Sequence, residues 1–226
     1  MRQLPLSVRL QDRAVFGSFL PGANVQALAA ARDLAAGSTP LLYLHGQSGA
    51  GRSHLLQAIC ATAAGAGYFP LAQLRQMGES VLDGVAQLPV VALDDLHLVA
   101  GEADWERRLF NLYNECRHAG TRLAVAAAVP AQDLPLALPD LASRLSAMPH
   151  YALRPLDEMQ QREALQLRAA QRGIELPPET LLYLQRHFPR DMGSLNRLLD
   201  QLDLASLEEQ RRVTLPFIRE VLERQP

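Results

Sequence analysis

The sequence contains no lysine, so all 22 of its basic side chains are arginines. It has only two cysteines, Cys60 and Cys116, which are too few and too far apart for a disulfide framework or a CxxC metal site. The six histidines are scattered without the spacing that metal ligands show. These absences exclude a disulfide-stabilised secreted domain and give no indication of a metal site built from cysteine and histidine.

Two further absences concern membranes and nucleic acids. No apolar run is long enough to cross a bilayer, and no signal peptide is visible. The formal net charge is −2, which provides no global basic field to attract nucleic acid. With 226 residues, 48% of them apolar, the chain can bury a substantial core. We therefore predict a soluble cytoplasmic protein without a membrane partner, built as one large domain or two small ones.

A glycine-rich loop separates an apolar run at residues 41–45 from an amphipathic segment that begins at residue 54. Its residues are Gly46, Gln47, Ser48, Gly49, Ala50, Gly51, Arg52 and Ser53, with His54 directly after them. Glycines let the backbone curl so that successive N–H groups point into one concavity, and the next helix adds its positive N-terminal end. The stretch from Gly46 to His54 therefore predicts a nucleotide-binding P-loop. A glycine-rich turn without a ligand is the alternative.

The end of this loop carries two chemical signals. Arg52 stands where a P-loop normally has lysine, and its guanidinium keeps the positive charge but is larger, planar and forked. Such a group favours holding phosphate over the compact lysine geometry used in hydrolysis. Because the whole chain lacks lysine, a general preference for arginine also explains the replacement. Ser53 is placed to offer its hydroxyl to Mg²⁺.

An acidic pair follows the next strongly apolar run. Residues 90–93 are continuously apolar, as in a strand buried on both faces of a parallel sheet, and Asp94 and Asp95 come directly after them. Next to a P-loop, such a pair predicts a Walker B site, in which Asp94 holds the Mg²⁺ shell and Asp95 positions a water molecule. Solvated acids at a strand end are the alternative.

Strand-like runs and helical segments alternate up to about Arg154, after which the pattern is helical only. Asn24 is expected to cap the first helix. We predict an α/β fold with a parallel sheet, followed by a small C-terminal helical lid domain. The expected boundaries are a flexible tail at 1–12, a nucleotide-binding domain at 13–154 and a lid at 155–226.

Five phrases carry a family resemblance: Phe19-Leu20-Pro21-Gly22-Ala23-Asn24, Gly46 to Leu56, Leu93-Asp94-Asp95, Leu138 to Leu145, and Leu199 to Asp203. Together they resemble the AAA+ P-loop NTPases. More narrowly, they are similar to the branch formed by the bacterial replication initiator DnaA and its small homologue Hda, the regulatory inactivator of DnaA. The arginine in the P-loop and the last two phrases are more similar to Hda than to DnaA. The resemblance covers nearly the whole chain and implies an AAA+ core with a helical lid.

The resemblance implies roles for residues outside the P-loop. Arg144 matches the arginine finger that reaches the ATP of a neighbouring subunit, where a guanidinium stabilises charge in the transition state. From spacing alone, a surface ion pair at a helix end is the alternative. Arg190 matches the sensor 2 arginine that the lid carries onto the phosphates. Leu20, Pro21 and Pro155 resemble the apolar frame around the base, or they serve as core and turn.

The first residues of the chain carry another resemblance. Gln3, Leu4 and Leu6 are similar to the short clamp-binding peptides of replication proteins, in which a glutamine anchors beside a pocket that leucines fill. The implied partner is the β subunit of DNA polymerase III, the sliding clamp. A disordered tail with two leucines is the alternative.

Two departures from the family pattern bear on activity. Where related ATPases place a polar sensor 1 residue at the end of the third buried strand, this chain has Ala126-Ala127-Ala128-Val129, and alanine cannot orient a water molecule. We also expect no helix-turn-helix domain of the type that DnaA uses on DNA. From Tyr151 onward, the sequence contains 11 arginines and 12 acidic residues, so no basic recognition surface is indicated.

The resemblance implies a negative regulator of DNA replication initiation that holds ADP or ATP with Mg²⁺. It would bind the sliding clamp and stimulate hydrolysis of ATP on DnaA while hydrolysing its own nucleotide poorly. A homo-oligomer is possible, and no direct sequence-specific DNA binding is expected. The alternatives are a self-contained ATPase, or an initiator fragment or helicase loader of the AAA+ type.

Overall fold

The computed structural model describes residues 14–187, 192–211 and 213–223. The chain divides into two units, one up to Pro155 and the other from Leu156. Four residues with predicted roles lie outside the described residues: Gln3, Leu4, Leu6 and Arg190.

The first unit is built on a five-stranded parallel sheet. Its strands are β1 (Leu41–His45), β2 (Gly67–Pro70), β3 (Val90–Asp94), β4 (Arg122–Ala127) and β5 (His150–Ala152). Their order across the sheet is β2-β3-β4-β1-β5, and all four pairings are parallel. Every residue of β3 is buried, as expected of a strand covered on both faces. This confirms the predicted α/β fold with a parallel sheet.

Helices cover both faces of the sheet. They are α1 (Val25–Ala36), α2 (Arg52–Thr62), α3 (Leu71–Leu74), α4 (Ala103–Ala119) and α5 (Pro139–Ser146). Alternate strand residues enter separate cores: Leu42 and Leu44 join a cluster with α1 and α2, whereas Tyr43 joins a cluster with α4 and α5. This separation follows from the two-residue period of a strand. Helix α5 therefore packs on the opposite face of the sheet from α2.

The second unit is helical. The described residues contain α6 (Glu158–Gln171), α7 (Pro178–His187), α8 (Met192–Glu209) and α9 (Leu215–Glu223). A reciprocal capping box begins α6, because the Asp157 carboxylate accepts from the Gln160 N–H at 2.8 Å and the Gln160 side chain accepts from the Asp157 N–H at 3.1 Å. Leucines of α6, α7 and α8 form a buried interior. No helix in the described parts of either unit is long and apolar enough to cross a membrane.

Asn24 occupies the N-cap position of α1, but its side chain does not cap the helix. The buried amide instead holds the backbone after β5. Its oxygen accepts from the Arg154 N–H at 2.8 Å, and its nitrogen donates to the Arg154 carbonyl at 2.9 Å. The prediction of a capping role was therefore wrong. A tertiary contact across the first unit offered the amide two hydrogen bonds in place of one.

We expect Asn24→Ala to lower the free energy of unfolding by about 1–3 kcal/mol, because both backbone groups of Arg154 lose their partner. Urea denaturation of the full chain measures this change. Gln26→Ala is the matched control, since Gln26 is an exposed position two residues further along the same segment. Equal midpoints for the two variants would contradict the role assigned to the amide.

Candidate nucleotide-binding site

In the loop at 46–51, which joins β1 to α2, two of the three glycines have no room for a side chain. A Cβ at Gly46 would lie 2.4 Å from the carbonyl oxygen of Leu153. A Cβ at Gly51, where φ is +101°, would lie 2.7 Å from the ring of Phe19. The first-turn N–H groups of α2 have no intrahelical acceptor, as at any helix start, and suit a phosphate. The backbone here fits the predicted P-loop.

Arg52 is buried at the start of α2 and turns toward the acidic pair. Its Nη2 lies 3.3 Å from Asp95 Oδ1, and its side chain is 10% exposed. Its Nη1 is buried and has no hydrogen-bond acceptor among the described residues. A buried guanidinium nitrogen without an acceptor is costly unless a ligand satisfies it. An anionic phosphate oxygen is such an acceptor, so the residues present fit a nucleotide.

Tyr68, on β2, joins the two predicted magnesium ligands. Its hydroxyl donates to Asp94 Oδ2 at 2.7 Å and is also hydrogen-bonded to the side chains of Ser53 and Gln57. The pKa of this phenol is raised, first by burial and then by the Asp94 charge. Ser53 and Asp94 thus lie within reach of one small ligand, and their oxygens suit Mg²⁺.

The acidic pair is itself held in an unusual backbone conformation. Asp95 has a φ of +56°, in the left-handed region, and its N–H donates to Asp94 Oδ1 at 2.9 Å. With the Tyr68 bond, both oxygens of the fully buried Asp94 are satisfied. Burial and the neighbouring Asp94 charge raise the pKa of Asp95, against the lowering effect of Arg52. No group of three or more acidic, histidine or cysteine side chains that suits a metal occurs in the described residues.

The end of β4 carries no polar side chain, as the sequence indicates, but a histidine from the neighbouring loop reaches it. The Nδ1 of His97 accepts from the backbone N–H of Ala128 at 3.2 Å. The pKa of His97 is lowered, first by burial and then by the positive charge of Arg52. Neither this residue nor Tyr68 belongs to a recognisable motif. The position of His97 two residues after Asp95 was the only sequence signal available.

The other residues predicted to contact the nucleotide have different surroundings in the structure. Leu20 and Pro21 are half-buried and Pro155 is exposed, next to the backbone that Asn24 holds. His54 lies with the N-terminal segment, its Nε2 within hydrogen-bonding distance of the Val15 carbonyl, at 3.0 Å, and of the Ser18 hydroxyl, at 3.2 Å. These contacts connect α2 to the residues that precede α1, which is a structural role.

Arg144 lies on α5, away from the P-loop helix. Its side chain is exposed, its guanidinium lies 5.9 Å from the centre of the Tyr113 ring, and it forms no ion pair with a described residue. The start of α5 is fixed by buried Glu106, whose carboxylate accepts from the N–H groups of Gly101, Ala137 and Leu138 at 2.7, 3.1 and 2.6 Å. The surface ion pair that spacing alone would favour is therefore not formed within the described residues.

Comparison with known proteins identifies the family to which this chain belongs. A family model for the AAA ATPase domain matches residues 22–186, and one for the Hda lid domain matches residues 157–222. The chain belongs to the AAA ATPase domain family. Together with the lid match, this makes it an Hda- and DnaA-like AAA+ protein, as the sequence predicts.

Solved structures share the fold. Domain III of the replication initiation protein DnaA from Thermotoga maritima has a TM-score of 0.75 at 22% identity, covering 93% of this chain and 95% of that chain. AMPPCP-bound DnaA from Aquifex aeolicus has a TM-score of 0.67 at 19% identity, covering 88% of this chain and 68% of that chain. A replication initiator DnaA bound to AMPPCP and single-stranded DNA has a TM-score of 0.69 at 19% identity, covering 89% and 69%.

Tyr68→Phe is expected to lower the free energy of unfolding by about 1–3 kcal/mol, because buried Asp94 loses a hydrogen-bond donor. The measurement is chemical denaturation of the nucleotide-free chain. Tyr151→Phe serves as the control, since the Tyr151 hydroxyl has no hydrogen-bond partner in the part of the chain that the structure describes. If both variants are as stable as the wild type, the Tyr68 hydroxyl does not support Asp94.

Proposed function

We propose that this protein is a nucleotide-binding regulator of DNA replication initiation that acts on DnaA. The observation that carries the nucleotide-binding part is the buried, unsatisfied Nη1 of Arg52 at the end of a sterically required glycine loop. The regulatory part rests on the match of residues 157–222 to the Hda lid and on the sequence resemblance to Hda. ADP or ATP is the proposed ligand.

The chain's own groups suggest how such a nucleotide is held. The loop N–H groups and the start of α2 contact the phosphates, and Arg52 adds charge-assisted hydrogen bonds. Ser53 and Asp94 hold Mg²⁺, which would neutralise phosphate charge. Leu20, Pro21 and Pro155 are the proposed frame around the base, and a phosphate contact from Arg190 is proposed from the sequence resemblance alone, since Arg190 lies outside the described residues.

Two features support poor hydrolysis of the bound nucleotide. Asp95, the proposed water-positioning carboxylate, is ion-paired with Arg52 and so is not a free base. The end of β4 supplies only alanine side chains. A self-contained ATPase using Asp94 and Asp95 is the alternative, and phosphate release by the isolated protein separates the two. Salt-dependent binding to duplex DNA would instead support an initiator fragment or helicase loader.

The proposed action on DnaA uses Arg144 in trans. An exposed guanidinium without an ion-pair partner among the described residues is available to a second protein, and α5 is anchored at its first turn by the Glu106 hydrogen bonds. The Tyr113 ring supports the guanidinium without neutralising it. Recruitment to the DNA-loaded sliding clamp through Gln3, Leu4 and Leu6 remains a proposal from the sequence, since these residues lie outside the described part of the chain.

Arg52→Ala should reduce the increase in melting temperature that ADP and Mg²⁺ produce to less than half of the wild-type value. The reason is that a ligand bound only to the folded state stabilises it by RT ln(1 + [L]/Kd), so a weaker affinity gives a smaller shift. Differential scanning fluorimetry measures this shift, and chelation of Mg²⁺ tests the Ser53–Asp94 pair in the same assay. Arg107→Ala, on the exposed face of α4, is the control. A full ADP shift in Arg52→Ala would remove this residue from the site.

Arg144→Ala should retain its fold and its ADP-dependent stabilisation, yet lose stimulation of ATP hydrolysis on DnaA by about 10³-fold or more, the size expected for an arginine finger. Arg144→Lys should fail nearly as badly, because an ammonium lacks the planar fork. The assay is single-turnover hydrolysis of labelled ATP on DnaA, with and without DNA-loaded clamp.

Arg117→Ala is the control for this experiment, since Arg117 is an exposed arginine near the C-terminal end of α4. An unchanged rate with Arg144→Ala would refute the finger. An absence of stimulation by the wild-type protein would refute the proposed action on DnaA altogether.

A further inference from the structure

The strand between the two phosphate-handling elements ends without a polar side chain. In the sheet order, β4 lies between β1, which leads into the P-loop, and β3, which ends at Asp94. The register pairs Ala127 of β4 with His45, the residue directly before Gly46. The backbone of Ala128 therefore stands level with the first residue of the phosphate-binding loop, one strand away.

His97 reaches the end of β4 from the turn that follows β3. It belongs to a short 3-10 turn, Leu96–Leu98, that follows Asp95 without any intervening residue. The left-handed conformation of Asp95 starts that turn, and the hydrogen bond from the Ala128 N–H holds the imidazole at the end of β4. The turn after β3 thus supplies a polar side chain at the end of β4, where the residues of β4 itself provide none.

The hydrogen bond from the Ala128 N–H also determines which tautomer the neutral His97 ring adopts. Because Nδ1 accepts a hydrogen bond from a backbone N–H, it carries no proton of its own, so the neutral ring bears its hydrogen on Nε2. No described residue accepts a hydrogen bond from Nε2. Arg52, Asp94 and Asp95 are the charged groups that act on the ring electrostatically.

We infer that His97 donates a hydrogen bond from Nε2 to the terminal phosphate of a bound nucleoside triphosphate, so that the site distinguishes a triphosphate from a diphosphate. This inference rests on the proposed nucleotide binding. The donor is neutral and held by the backbone, so it senses the γ-phosphate without supplying a general base. A diphosphate, which ends one phosphate earlier, would not engage it. His97 is in this sense a specificity-determining residue.

The test compares the dissociation constants of AMPPCP and ADP, each with Mg²⁺, for the full chain by isothermal titration calorimetry. His97→Ala should weaken AMPPCP relative to ADP by about 10-fold, which corresponds to ~1.4 kcal/mol. His97→Asn should restore part of the ratio, because its amide can both accept from the Ala128 N–H and donate onward. His118→Ala, an exposed histidine in the last turn of α4, should leave the ratio unchanged.

A purely structural role predicts another pattern. Loss of the Ala128 contact alone would lower the melting temperature of His97→Ala and change both dissociation constants by the same factor. An unchanged AMPPCP-to-ADP ratio, with nucleotide binding intact, would therefore overturn this inference and leave the proposed function standing. A wild-type protein that binds neither nucleotide would overturn both.

A second readout does not depend on affinity. Nitrogen-15 NMR of the histidine-labelled protein should show His97 as the Nε2–H tautomer, with a Nε2 shift that moves on addition of AMPPCP but little on addition of ADP. A Nδ1–H tautomer, or equal responses to both nucleotides, would contradict the assignment.

Discussion

Everything at the candidate site depends on one constraint, which is that all five strands of the sheet run in the same direction. Parallel strands bring their carboxyl ends to a single edge, and ligands of open α/β sheets bind in the crevice outside that edge. The glycine loop after β1, the acidic pair after β3 and the alanines at the end of β4 meet there although more than 75 residues separate Gly46 from Ala128 along the chain. Two separate apolar cores hold the sheet in place, one on each face.

Within this edge, the energetics are dominated by charges removed from water. Asp94 is 1% exposed, and such a carboxylate is tolerated only when its oxygens are hydrogen-bonded. Tyr68 and the Asp95 backbone supply those bonds. The hydrogen-bonding capacity of the Arg52 guanidinium is only partly used, since one of its nitrogens contacts Asp95 and another has no acceptor in the described residues. This unsatisfied nitrogen makes the site favourable for an anion.

A second buried carboxylate organises the surface that carries Arg144. Glu106, 1% exposed on α4, accepts three backbone hydrogen bonds from the segments before α4 and before α5. It thereby fixes the start of a helix of only eight residues, which would be marginal in isolation. The candidate site and the exposed arginine are thus each associated with a buried acid, Asp94 held by one backbone N–H and the Tyr68 hydroxyl, and Glu106 held by three backbone N–H groups.

The sequence by itself determined the features that depend on local pattern. Continuous apolar runs predicted buried parallel strands, and the glycine-rich stretch predicted the loop between a strand and a helix that joins β1 to α2. The roles of Tyr68, His97 and Asn24 were decided only by tertiary structure. Each of these side chains has a partner far along the chain, as in the Asn24–Arg154 and His97–Ala128 hydrogen bonds. A hydrogen bond between distant residues leaves no periodic trace in sequence, because only the packed sheet brings its donor and acceptor together.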